Sequence, residues 1–298
     1  MDAKQWLWGM STCCMGRIDK PAFETFAQAG VQAMEISLSY AAFTKADFKT
    51  AAIASRETGV PVWSVHLPFY PFRFLDPSSL DNEVRINTFL AHKYGVDQAA
   101  EVGAKVVVVH PSGEPNPDET RAEQLQAAAE YLSKLAEYAA QYNIKVAVED
   151  LPRSCLGNCS SEIKQLIAAH PNLCVCFDTN HLLVEKNSDF IRALGDKIVT
   201  LHVSDYDFMN ERHWMPYEGK NDWVELVTLL EQVGYTGPFM YEVPFSIPPS
   251  IHRDRRLCFD DFKANFTACV NKQPFTPIGT PNAEECLATA HYNPPLIK

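Results

Sequence analysis

A chain of 298 residues with 46% hydrophobic content is long enough to bury one large core or two modest ones. Its net charge of -11 and pI near 5.3 argue against nucleic acid or an anionic membrane as partner, since affinity for either rests on clustered Lys and Arg. The opening MDAKQWLWGMS lacks the apolar core of a signal peptide and no later run reaches the length of a membrane span, so a cytoplasmic protein is expected.

Eight short apolar runs punctuate the sequence: LWGMS from Leu7, VQAMEIS from Val31, VWSVH from Val62, KVVVVH from Lys105, IKVAVED from Ile144, LCVCFD from Leu173, KIVTLHV from Lys197 and FMYEV from Phe239. Their brevity and Val/Ile content predict buried parallel strands. Helical segments lie between them. Asp19 with Pro21 opens one that Gly30 closes, Thr44 opens another that Gly59 closes, and PDETRAEQLQAAAEYLSKLAEYAAQYN forms a long Ala-rich one. Asp222 with Glu225 resembles a capping box before VELVTLLEQVGY. Eight strand–helix units predict an α/β protein, a (β/α)8 TIM barrel over residues 1–271. An open doubly wound sheet is the alternative, but no Gly-rich dinucleotide fingerprint follows the first strand, and no nucleotide cofactor is expected. Residues 272–298 are rich in proline and read as a C-terminal tail packing on the barrel or on a partner subunit. Self-association is compatible with this tail, though nothing in the sequence requires a dimer.

Nine cysteines, scattered through apolar and helical stretches, read as reduced thiols. Cys155 and Cys159 form C-x3-C without a second pair, which favours a loop feeding a helix over a zinc knuckle.

In such a barrel the active site lies at the C-terminal strand ends. Seven of the eight runs end in or beside a residue that binds protons or metal: Glu35, His66, His110, Glu149, Asp178, His202 and Glu242. Gathering these acids around one mouth costs several kcal/mol per buried ion unless a cation compensates. The set therefore predicts a divalent cation, with oxygen-rich ligation suited to Mn, Mg or Co and acceptable to Zn. Two residues before these ends stand the small Ser64, Ala147, Cys176 and Thr200, as expected beneath a site that needs floor space, with Met240 as the exception.

The ordered motifs SVHLPF, VVVHPSG, VAVEDLPR, CFDTNHLL, TLHVSDYD, ERHWMPYEGKNDW and FMYEVP resemble the xylose isomerase-like TIM-barrel superfamily, to about residue 270. That superfamily includes sugar and sugar phosphate isomerases and epimerases such as tagatose 3-epimerase, together with inosose dehydratase, hydroxypyruvate isomerase and endonuclease IV. The resemblance implies that Glu149, Asp178, His202 and Glu242 hold one divalent metal and that Glu149 and Glu242 act as the acid/base pair in isomerising or epimerising a carbohydrate. It implies a substrate contact for His181 in D-x-x-H, and His66, His110, Arg153 and His213 join it as candidates for substrate binding. For Arg153 a structural salt bridge is an equal alternative.

The rival reading uses the same residues. His66, His110, His181, Glu211 and His213 are candidates for additional metal ligands, as in a multi-zinc phosphodiesterase, with Glu211 standing where the resemblance has an aspartate. A non-catalytic sugar-binding barrel is a third reading, disfavoured because Glu149, Asp178 and Glu242 are all kept. In the loop from Glu211 to Trp223, Tyr217 and Glu218 fill a position where related loops carry Pro-Gly-x-Gly, and Trp214 either stacks on a sugar or packs under the loop. Phe69, Tyr70 and Phe72 form a pocket wall or core, and Glu35 orients a ligand or caps a helix. His92, His170, His252 and His291 are read as surface residues, and the scattered Arg73, Arg153, Arg212 and Lys220 favour an unphosphorylated substrate.

Overall fold

The computed structural model describes residues 6–291. Eight strands form one sheet: β1 (Trp8–Ser11), β2 (Ala33–Ile36), β3 (Val62–His66), β4 (Val106–Val109), β5 (Lys145–Glu149), β6 (Leu173–Asp178), β7 (Ile198–His202) and β8 (Phe239–Tyr241). All ladders are parallel, in the order β7-β6-β5-β4-β3-β2-β1-β8. The ring closes through Val203, whose N–H donates to Met240 O at 2.7 Å and whose carbonyl accepts from Glu242 N at 3.1 Å. The result is a single-domain TIM barrel.

The strand alternation explains two separate apolar layers. Val107, Val109, Val146, Val148, Val175 and Phe177 face outward into the main core, against the surrounding helices. Val106, Val108, Ala147, Cys174 and Cys176 point the other way and fill the barrel interior. The large Met240 is accommodated because Gly9 pairs with it across β1 and β8; a Cβ on Gly9 would lie 2.9 Å from Met240 Sδ.

Around the sheet lie α1 (Lys20–Ala29), α2 (Tyr40–Phe43), α3 (Phe48–Thr58), α4 (Asn82–Glu101), α5 (Asp118–Ala140), α6 (Ser160–Ile167), α7 (Asn187–Leu194), α8 (Trp223–Gln232) and α9 (Phe259–Val270). Asp19 caps α1, Gly30 ends it with φ 86, and Asp222 caps α8 through Glu225 N. The expected start at Thr44 is corrected: Thr44 closes the short α2, and Asp47 caps α3 through Thr50 N. Cys159 stands at the N-terminus of α6, and all nine cysteines are free. Among the described residues no helix is long and apolar enough to cross a membrane.

His92 corrects the surface reading. It is 1% exposed, with Nε2 2.8 Å from Pro68 O and Nδ1 2.8 Å from Tyr131 Oη, and it ties α4 to α5 and to the loop after β3. His170 is half-buried, while His252 and His291 are exposed.

Beyond α9 the chain returns over the loops that follow β7 and β8. Thr280–Pro281 pairs antiparallel with Ile251–His252, and a short helix α10 (Ala283–Ala288) follows. Arg212 donates to Cys286 O at 2.9 Å and to Thr289 Oγ1 at 2.7 Å, and His291 N donates to Met209 O.

Candidate active site

The strand-end residues converge. Glu149, Asp178, His202 and Glu242 each present one ligand atom, all within 4.8 Å of one another. Register accounts for this: Asp178 is paired with His202 across β6 and β7, and Glu149 with Cys176 across β5 and β6. His202 Nδ1 lies 3.0 Å from Glu149 Oε1 and 3.3 Å from Glu242 Oε2. Its other ring nitrogen, Nε2, lies 3.1 Å from the Glu35 carboxylate. Glu35 is fully buried and accepts from Ser11 Oγ at 3.1 Å and Ser64 Oγ at 2.7 Å, so it orients His202 and caps no helix.

Three further histidines are held in the same manner, one nitrogen tied back and the other turned towards the site. His66 Nδ1 is 2.9 Å from Leu67 O, His181 Nδ1 2.8 Å from Asp150 O, and His213 Nδ1 3.2 Å from Glu242 O. A carbonyl accepts, so each Nδ1 carries a proton, and each Nε2 is the nitrogen that faces the site, where it donates to a carboxylate when protonated and can bind a cation when not. His66 Nε2 and His110 Nε2 then approach Glu149 Oε2 at 3.1 and 3.2 Å. His181, Glu211 and His213 form a second group whose ligand atoms also lie within 4.8 Å of one another.

Without a cation these groups must balance one another. Burial works against charge on His202 and His181, but the negative neighbours of each outweigh it and raise both well above the usual imidazole range. Burial pushes Glu149 upward, yet His202 and His110 bring it well below the usual carboxylate range. Asp178 rises to about 6, through burial first and then the charges of Glu149 and Glu242, against the pull of His181. Asp178 Oδ2 is buried without a hydrogen-bond partner. An orphaned carboxylate oxygen facing two further acids and an imidazole fits a divalent cation, the partner it lacks.

A cavity of about 450 Å3 opens above Glu149 and Glu242. His66, His110, His181, Glu211, His213 and Arg153 all line it, as does the aromatic loop of Phe69, Tyr70 and Phe72. Arg153, at φ 55, is committed to carboxylates: Nη2 lies 2.9 Å from Glu114 Oε2 and Nη1 2.6 Å from Glu211 Oε1. Of the other cations, Arg212 is buried against Asp207 at 2.8 Å and Arg73 lies over the Phe74 ring.

The loop from Glu211 to Trp223 is anchored on Asp205. That carboxylate accepts from Tyr206 N, Tyr217 N, Asn221 N and Trp223 Nε1, at 2.8 to 3.1 Å. Tyr217 takes φ 76, the left-handed conformation usual for glycine. Trp214 is fully buried, donates to Ser250 Oγ at 3.0 Å and packs with Ile251 and Cys286, which rules out stacking on a ligand. Sequence reasoning passed over Asn180, whose Oδ1 accepts from Arg212 N and His213 N and so seats His213. Its place inside the D-T-N-H motif was the available signal. Glu218, read from the sequence only as a turn residue, is buried in a pair with Arg253, Nε to Oε1 3.0 Å.

Comparison with known proteins agrees with this architecture. An uncharacterised protein of Methanocaldococcus jannaschii is 29% identical over 181 residues, 58% of this chain and 62% of that relative, so the match spans less than two thirds of it. The structure of a D-tagatose 3-epimerase-like protein superposes with TM-score 0.76 at 23% identity, covering 89% of this chain and 98% of that one. An L-ribulose 3-epimerase gives 0.73 at 18%, covering 97% and 100%. The apo form of 3-keto-D-glucoside 4-epimerase from E. coli gives 0.71 at 17%, covering 90% and 100%. The family model described as xylose isomerase-like TIM barrel matches residues 23–258, most of the chain, and with the barrel topology it shows that this protein belongs to that family.

Proposed function

We propose that the protein is a divalent-metal-dependent isomerase or epimerase of a sugar-like α-hydroxycarbonyl compound. The observation that carries this reading is the quartet of Glu149, Asp178, His202 and Glu242, closed to solvent beneath and open to one cavity through Glu149 and Glu242. Structural neighbours named as sugar epimerases support it. The quartet would hold the cation, with Glu35 orienting His202 beneath it. When bound, a Mn, Zn, Co or Mg ion supplies Lewis acidity at a carbonyl and adjacent hydroxyl. Glu149 and Glu242 both present carboxylates to the cavity, so one takes the proton from the carbon beside the carbonyl and the other returns a proton to the enediolate. His66, His110, His181 and His213 offer ring nitrogens to substrate hydroxyls from the cavity wall. Arg153 holds Glu114 and Glu211 in place at its rim.

Solvent deuterium incorporation into a panel of ketoses tests the reading. Glu149→Gln and Glu242→Gln are expected to abolish exchange while keeping the native melting transition, and full exchange in a folded variant would refute the acid/base assignment.

A second reading, a multi-zinc phosphodiesterase, is favoured by one feature: the group of His181, Glu211 and His213, beside a Glu149 whose two oxygens face different histidines. Against it, Arg153 already engages Glu211 at 2.6 Å. Elemental analysis of protein purified without chelator decides. One ion per chain supports the isomerase, and two or three zinc ions bring the phosphodiesterase to the front.

A further inference from the structure

We infer that the outer half of the cavity is a subsite for an apolar, preferably aromatic, substituent on an uncharged keto sugar, so that the substrate is a glycoside that still carries a ketone and neither a free monosaccharide nor a sugar phosphate. The inference rests on the carbohydrate reading of the site.

The cavity has two ends of different chemistry. Glu149 and Glu242 lie at the inner end, and at the outer end the loop after β3 presents Phe69, Tyr70 and Phe72. This aromatic wall is built into the fold. Phe69 stacks on His110 with ring centroids 4.1 Å apart and planes 22° apart, which fixes it beside the polar floor. Phe72 packs where Gly113 has no side chain; a Cβ there would lie 2.9 Å from Phe72 Cβ. Asp76 clasps the loop by accepting from Gly113 N at 3.0 Å and Ser78 Oγ at 2.7 Å. Tyr70 stands edge-on to Phe72 with centroids 5.5 Å apart, yet is 62% exposed, and Phe69 is 38% exposed. Rings held this firmly and left facing a cavity offer apolar area that a polyol alone does not use.

Size and charge point the same way. A volume of about 450 Å3 falls in the range, ~300–1,000 Å3, of pockets that take drug-sized ligands, which leaves room for a substituent beside a sugar ring. Arg153 is the only Lys or Arg among the described residues lining the cavity, and its guanidinium is engaged by Glu114 and Glu211. A phosphate brought to this rim would meet those two carboxylates without a free cation to pair with.

The test is equilibrium binding by calorimetry to the metal-loaded protein, with the α- and β-anomers of methyl and phenyl D-glucoside, D-glucose and D-glucose 6-phosphate as probes. Phenyl glucoside of one anomer is expected to bind about tenfold more tightly than its methyl counterpart, the size of a buried aromatic contact. Tyr70→Ala and Phe72→Ala should each bring that ratio towards one, and the 6-phosphate should bind no better than glucose. Equal affinity for methyl and phenyl glucosides, a ratio unmoved in both variants, no measurable glucoside binding, or tighter binding of the phosphate would each overturn the inference. Because binding is read and not turnover, failure of the isomerase reading appears separately, as deuterium exchange absent from both free keto sugars and their phenyl glycosides with phenyl selectivity intact.

Discussion

Glu35→Gln separates a ligand-orienting role from a ligand role. Glu35 never reaches the cavity, and its carboxylate is fully buried 3.1 Å from His202 Nε2 with Ser11 and Ser64 as its other partners. Glutamine keeps the size and one acceptor but removes the charge, so the imidazole loses a charge-assisted hydrogen bond of about 1.5–3 kcal/mol. That corresponds to about 10- to 100-fold weaker metal binding, the range usual for carboxylates behind a ligating histidine. The assay is competition between metal-free protein and a chromophoric chelator for zinc or manganese, with thermal melts of the metal-free forms as a control on folding. An unchanged metal affinity with an unchanged melt would refute the reasoning, because it would mean that Glu35 neither orients His202 nor tunes its basicity.

Arg253→Met should cost about 3–5 kcal/mol in urea unfolding by stranding the buried Glu218 carboxylate, and adding Glu218→Met should recover part of it. Equal losses in the single and double variants would assign the effect to packing. Gly219→Ala places a Cβ against Asp205 Oδ1 and the Tyr206 backbone, so a loss of about 2 kcal/mol or more and a displaced His213 loop are expected; a stability unchanged from the parent would contradict the crowding. Arg255 draws Asp261 from 3.8 to about 2, and a carboxyl lowered by folding adds stability that is complete above its unfolded value and lost as pH falls through about 2. Reduced for the exposure of Arg255, Asp261→Asn should cost about 1 kcal/mol near pH 6 and about half that at pH 3. A cost that does not vary with pH would show that the charge on Asp261 contributes nothing to it.

The barrel was legible because its strands are buried on both faces and read as short Val-rich runs, and each run ends where the site begins. Those ends supplied seven candidates, and the family resemblance picked the quartet from among them. Long-range pairings carried no comparable local pattern. Glu218 and Arg253 are 35 residues apart and polar, and only the fold shows that they bury each other. His92 looked like a surface residue because α4 has apolar residues on its exposed side, Ile86 and Leu90 among them, which hides the face that turns inward. For Trp214 the sequence left two readings open, and the fold selects packing: the ring points away from the site into the loop's own small core.

The return of the chain over the barrel mouth sets an order of events during synthesis. Glu211 and His213 sit on a loop fastened by Arg212 to Cys286 and Thr289 and by Met209 O to His291 N. A ribosome delivers those anchors last, after every strand has emerged. A nascent chain lacking them already contains all four residues of the quartet, while the far wall of the cavity is still without its fastening. The four residues of the quartet can therefore come together ahead of the loop that forms the far wall of the cavity.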